Sequence, residues 1–66
     1  MKITVNGEHK DVGGVSTLSA LFEMLQIVPN ALVVEHNGTI VDRERYANIV
    51  LKEGDVLELV RFVGGG

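Results

Sequence analysis

The most constraining stretch of this 66-residue chain is Val56-Leu57-Glu58-Leu59-Val60-Arg61-Phe62-Val63, which reads as a strand and runs straight into Gly64-Gly65-Gly66. Leu57 and Leu59 fall on one of its faces, and Val56, Val60 and Phe62 on the other. A strand apolar on both sides belongs in the middle of a sheet, buried above and below. Glycine has no Cβ, so the three residues that follow leave a slender backbone that a narrow channel can admit. At about 3.3–3.6 Å per extended residue, Val63 through Gly66 reach roughly 13 Å beyond a folded body. The expectation is one domain over residues 1–63 and a flexible glycine tail, 64–66, that ends in a carboxylate. The plainer alternative is a loose end or a vector-derived scar.

The length fits one small domain, near the lower limit for a core without disulfides or metals. Hydrophobic residues make up 45% of the chain, yet Phe22, Tyr46 and Phe62 are its only aromatics. The core is therefore built from Val, Leu and Ile. Cysteine is absent, which excludes disulfides, thiolate zinc sites, iron–sulfur clusters and cysteine nucleophiles, so any sulfur this chain handles does not ride on a thiol. The net charge is −3, with the six basic residues scattered. Nucleic-acid binding is disfavoured, because neutralising phosphates takes a basic face. Neither a signal-peptide run nor a stretch of membrane-spanning length is found, and a cytoplasmic location is expected.

Met1, Ile3 and Val5 alternate with polar residues, the period of a strand with one buried face. Asn6-Gly7 tolerates the positive φ angles of a tight hairpin, so Glu8–Val12 should return antiparallel, as a polar edge. After Gly13-Gly14, Ser16 or Thr17 caps a helix whose apolar stripe is Leu18, Leu21, Phe22 and Leu25. No capping box fixes its start. Pro29 should end it a residue or two earlier. A second Asn-Gly turn, Asn37-Gly38, joins a strand over Ala31–His36 to Thr39-Ile40-Val41, and Asp42 is placed to cap a helical turn over Arg43–Asn48. One striped helix needs one sheet face, which gives an α+β domain with a sheet of four to five strands packed on one helix.

This order of elements resembles the ubiquitin-like β-grasp proteins. Within them, Met1-Lys2-Ile3-Thr4-Val5-Asn6-Gly7, Leu18–Leu25, Ala31–Gly38, Val41–Glu44 and Leu51–Leu59 together resemble the ThiS family of sulfur carriers of thiamine biosynthesis. Gly65-Gly66 matches the family's terminal pair, while Gly64 stands where others often have alanine. The resemblance implies a mixed β-grasp sheet and a reactive Gly66 carboxylate, with Gly64, Gly65 and Gly66 entering a partner's active site. A ThiF-like adenylyltransferase would activate that carboxylate with its own ATP, a sulfur donor protein would convert it to a thiocarboxylate, and the thiazole synthase ThiG would consume it. The chain would bind no cofactor and be no enzyme itself.

Two exposed positions of the last strand, Glu58 and Arg61, are candidate docking residues, set against the plainer reading of solvated charges. Phe62 is assigned to the core. His9 and His36 lack a nearby carboxylate or cysteine in sequence, so no metal site is expected. Asp42-Arg43-Glu44-Arg45 reads as a solvated turn, and Ser16 and Thr17 as caps. Rival functions are the small subunit of molybdopterin synthase, a ubiquitin-like protein modifier, and a plain interaction domain. The first of these tends to carry a proline before its glycines, which Leu59–Val63 lacks.

Overall fold

A computed structural model describes residues 1–61. Strand β1 (Lys2–Val5) turns at Asn6-Gly7 into β2 (Glu8–Asp11); helix α1 (Leu18–Met24) follows, then β3 (Leu32–His36), β4 (Thr39–Val41), a 3₁₀ helix (Arg43–Asn48) and β5 (Val56–Arg61). The five strands lie in the order β2-β1-β5-β3-β4. β5 runs parallel to β1 and antiparallel to β3, with Val5 opposite Leu57 and Val34 opposite Leu59. Both hairpins form where their Asn-Gly pairs predict them. Asn6 and Gly7 have φ of 50° and 81°, Asn37 and Gly38 of 52° and 87°, and two consecutive positive φ values are what a type I′ turn requires.

The helix crosses one face of this sheet. Leu18, Leu21 and Phe22 are buried against Ile3, Val5, Val34 and Leu57, with Leu25 half-buried at the rim. Thr17 is the cap, its Oγ1 accepting the Ala20 N–H at 3.2 Å. The same turn is pinned from the side, because Leu18 N–H donates to the Ile49 carbonyl and Leu51 N–H to the Ser16 carbonyl. Tyr46, on the 3₁₀ helix, meets Phe22 edge to face at 5.3 Å and is buried. Burial pushes its phenol above the ordinary tyrosine value, outweighing the opposing pull of Arg43. Asp42 stands at the N-cap of that helix, but its side chain makes no capping hydrogen bond. Its carbonyl instead accepts the Arg45 N–H at 2.9 Å.

The helix ends earlier than Pro29 predicts. Gln26 turns left-handed with φ 59°, its N–H donates to the Glu23 carbonyl, and Ile27 N–H donates to the Phe22 carbonyl at 2.8 Å. That pair of bonds is a Schellman motif, which closes α1 at Met24 without the glycine that usually marks one. Ile27 then packs back on the core. The last strand also departs from its sequence reading. It is central in the sheet, but only the Leu57 and Leu59 face is covered, whereas Val56 and Val60 are 42% and 58% exposed. Apolar residues on both faces located its place among the strands correctly and overstated its burial.

Asp55 is the single charged residue buried among those described, 7% exposed. It is well satisfied. His36 Nε2 donates to Oδ2 at 2.7 Å, Lys52 N–H donates to the same oxygen at 3.0 Å, and Asn37 Nδ2 donates to Oδ1 at 3.1 Å. Burial alone would raise its pKa, but the hydrogen bonds from His36, Lys52 and Asn37 outweigh burial and hold it below 3.8. The clasp ties the β3–β4 turn to the start of β5.

Two outcomes follow. Gln26→Gly removes a Cβ from a left-handed position and should stabilise the fold by about 0.5–1 kcal/mol, read as a higher denaturant midpoint at unchanged slope. Because the Asp55 pKa is lowered on folding, its contribution is complete above the ordinary value of 3.8 and lost as pH falls through the folded value. Asp55→Asn should therefore cost about 2–3 kcal/mol at neutral pH and flatten the stability profile below pH 4, in urea titrations run across that range.

Candidate functional site

The chain's last described residues lie on the middle strand of the sheet. β1 ends at Val5, whereas β5 continues to Arg61 with Val60 opposite Val33 and Arg61 opposite Leu32. Gly64, Gly65 and Gly66, the expected reactive tail, lie outside the described residues, as does Phe62, expected in the core. The end of the sheet that holds Arg61 also carries the Asn6-Gly7 turn and the first residue of β3.

Glu58 and Arg61 are both exposed but lie on opposite faces. Arg61 shares the parity of Leu57 and Leu59, on the helix side. Glu58 sits on the open face between Val56 and Val60, directly across from Glu35. The two do not form one contact surface. Strand parity alone places them apart, because three positions separate them.

The open face is the more informative surface. Val33 and Val60 pair on it, Ile40 stands across from Glu35, and Val56 lies beside Thr4. Val56, Val60 and Ile40 are 42%, 58% and 65% exposed. Among the described residues nothing packs over them. Exposed apolar side chains grouped around the Glu35 and Glu58 pair make this face the candidate for a protein–protein contact. The Glu35 and Glu58 pair adds an electrostatic preference, since like charges directly opposite on neighbouring strands oppose pairing unless a cation meets them. Sequence reasoning missed this surface by reading Val56 and Val60 as buried. The signal available was the count of covering elements, one helix for two sheet faces.

The other candidates resolve into structural roles. His36 is held by Asp55, nineteen positions away, a partner that no local pattern announces. His9 Nδ1 lies 3.3 Å from Thr4 Oγ1, a cross-strand pair of the first hairpin. No group of three potential metal ligands occurs among the described residues. Thr17 is engaged as a helix cap. No helix among the described residues is long and apolar enough to cross a membrane.

Comparison with known proteins agrees with this geometry. The thiazole synthase of Paramagnetospirillum magneticum is 38% identical over 66 residues, all of this chain and 20% of that protein. The sulfur carrier protein ThiS of Bacillus subtilis is 40% identical over 57 residues, covering 86% of this chain and 82% of that one. The chain spans about one fifth of the length of the thiazole synthases it matches. The crystal structure of the thiamine biosynthesis protein ThiS from Geobacter metallireducens superposes with a TM-score of 0.84 at 33% identity, covering all of both chains. The mixed five-stranded sheet on one helix is thus the ubiquitin-like β-grasp. With the ThiS family model matching residues 3–66, the chain belongs to the ThiS family.

Proposed function

We propose that this chain is the sulfur carrier of thiamine biosynthesis, with the Gly66 carboxylate as its reacting group. The observation that carries the reading is the family match over residues 3–66, which takes in both the sheet and the glycine run. A terminal carboxyl with an ordinary pKa of about 3.3–3.7 is ionised at neutral pH, a nucleophile toward phosphorus and a poor electrophile toward sulfur. Activation has to come first. One carboxylate oxygen attacks the α-phosphorus of ATP held by a ThiF-like adenylyltransferase, and pyrophosphate leaves. The sulfur of hydrosulfide then attacks the acyl carbon of the mixed anhydride, AMP leaves with the former carboxylate oxygen, and the sulfur-bound hydrogen is lost as a proton. The resulting thiocarboxylate is the sulfur source for a thiazole synthase.

In this scheme the chain supplies a reacting group and a docking surface, and the partner supplies catalysis by positioning and charge neutralisation. It binds no cofactor of its own, is not an enzyme, and works in the cytoplasm. Thiazole synthase as the consuming partner is supported by relatives of that name that contain a region similar to this whole chain. The open face with Val33, Val56, Val60, Glu35 and Glu58 serves as the enzyme-facing surface. Glycines 64 to 66 give the reacting carbon clearance, since any Cβ there would narrow both the fit and the accessible φ.

Two measurements test the reading. Incubation with a ThiF-like enzyme, ATP and sulfide should give a C-terminal peptide in which one oxygen is replaced by sulfur. A folded sample that yields none would falsify the proposal. A higher-mass adduct on lysine would point to a protein modifier instead, and transfer of sulfur to a pterin precursor to the molybdenum-cofactor pathway. Gly66→Val should abolish product while shifting the melting temperature by less than about 2 °C, because a terminal residue contributes little to the core.

A further inference from the structure

We propose that Asn6 is a positioning residue for loading of the carrier, fixing the point at which the last strand parts from β1. This role rests on the carrier reading above. Asn6 donates its backbone N–H to the Leu57 carbonyl at 2.9 Å, the ladder step after Thr4 N–H to the Asp55 carbonyl. The main chain then turns away through φ 50°. Leu59 N–H loses its natural acceptor at that point, and the Asn6 side chain takes over, Oδ1 accepting it at 2.7 Å. A side-chain amide thus extends β1 by one rung.

Its consequence is local to the exit. Leu59 is paired with Val34 on its other side, so it is gripped from both edges, whereas Val60 and Arg61 pair only with Val33 and Leu32 of β3 among the described residues. Gly66 follows seven positions later. Once the body has docked, a β5 held on both edges as far as Leu59 fixes the direction in which its end at Arg61 is presented to the partner. Orientation set before the reaction lowers the barrier without any new contact.

Turn chemistry does not by itself demand asparagine, since Asp-Gly and Gly-Gly also form type I′ turns. That separates the two roles of the residue. Asn6→Asp keeps both the turn and the acceptor, whereas Asn6→Gly keeps the turn alone. Asn37 supplies a matched control at the far end of β5, where it has φ 52° and its Oδ1 accepts Val56 N–H at 2.8 Å. Asn37→Gly loses an equivalent bond, and contacts to Asp55, away from the exit.

The experiment measures ATP-dependent adenylation of wild type and the three variants by a ThiF-like enzyme, well below each melting temperature, with hydrogen exchange at the Leu59 amide in parallel. For Asn6→Gly we expect kcat down about 3–10-fold with KM within about twofold, and faster exchange at Leu59. Asn6→Asp should match wild type on both counts, and Asn37→Gly should load at the wild-type kcat even if less stable. Loading of Asn6→Gly at the wild-type kcat, or an equal loss in Asn37→Gly or Asn6→Asp, overturns the positioning role and leaves the carrier reading standing. Failure of wild type to be loaded overturns the carrier reading and this role with it.

Discussion

Both Asn-Gly turns close onto the same strand, and the architecture depends on that arrangement. Asn6 exchanges bonds with Leu57 and Leu59, and Asn37 with Val56 in both directions. β5 is the strand between the two hairpins, the last in sequence and the middle one in space. Each turn residue therefore does more than reverse its own hairpin. By holding a backbone N–H of β5 on a side-chain oxygen, it sets the register of a strand that starts about twenty or fifty positions later. A slip of one residue would move Leu57 to the open face and Val56 into the core. These side-chain rungs, together with the β1 and β3 ladders, make that slip costly.

A chain of this size builds only one covering layer. Helix α1 has seven residues, so it is about 10 Å long. Five strands at about 4.8 Å spacing span roughly 19 Å. The helix alone does not cover even its own side, and Val12, Tyr46 and Leu51 complete it from loops and the 3₁₀ helix. Nothing remains in the described chain to cover the opposite face. Val56, Val60 and Ile40 are left open there by economy of length.

Local chemistry was legible in the sequence, and long-range chemistry was not. Asn6-Gly7, Asn37-Gly38 and the stripe Leu18, Leu21 and Phe22 depend on neighbours within a few residues and stand where spacing puts them, and of the two cap candidates, Ser16 and Thr17, the structure uses Thr17. The early stop of α1 depends on Gln26 adopting a conformation its residue type disfavours, a choice settled by Ile27 packing on the core. Asp55 carries no local signal of its burial, because its side-chain partners His36 and Asn37 lie nineteen and eighteen positions away. The covering of β5 failed for another reason. Apolar residues on both faces report a central strand, but whether each face is roofed depends on what else the chain can provide. Glu58 and Arg61 were read together as docking charges even though odd and even positions of a strand point apart.

The two ends of β5 carry opposite kinds of chemistry. At its start, Asp55 gathers three donors and closes the sheet with a buried charge whose loss the whole fold would feel. Toward its end, the contacts among the described residues thin from two neighbouring strands at Leu57 to a strand and one side chain at Leu59, and then to a strand alone at Arg61. On the proposed function, a chain without cysteine carries sulfur on its terminal carboxyl. That reading asks for a group presented to enzymes while the fold stays unstrained. Concentrating the charged clasp at one end of a six-residue strand and thinning the contacts at the other meets both requirements with a single element.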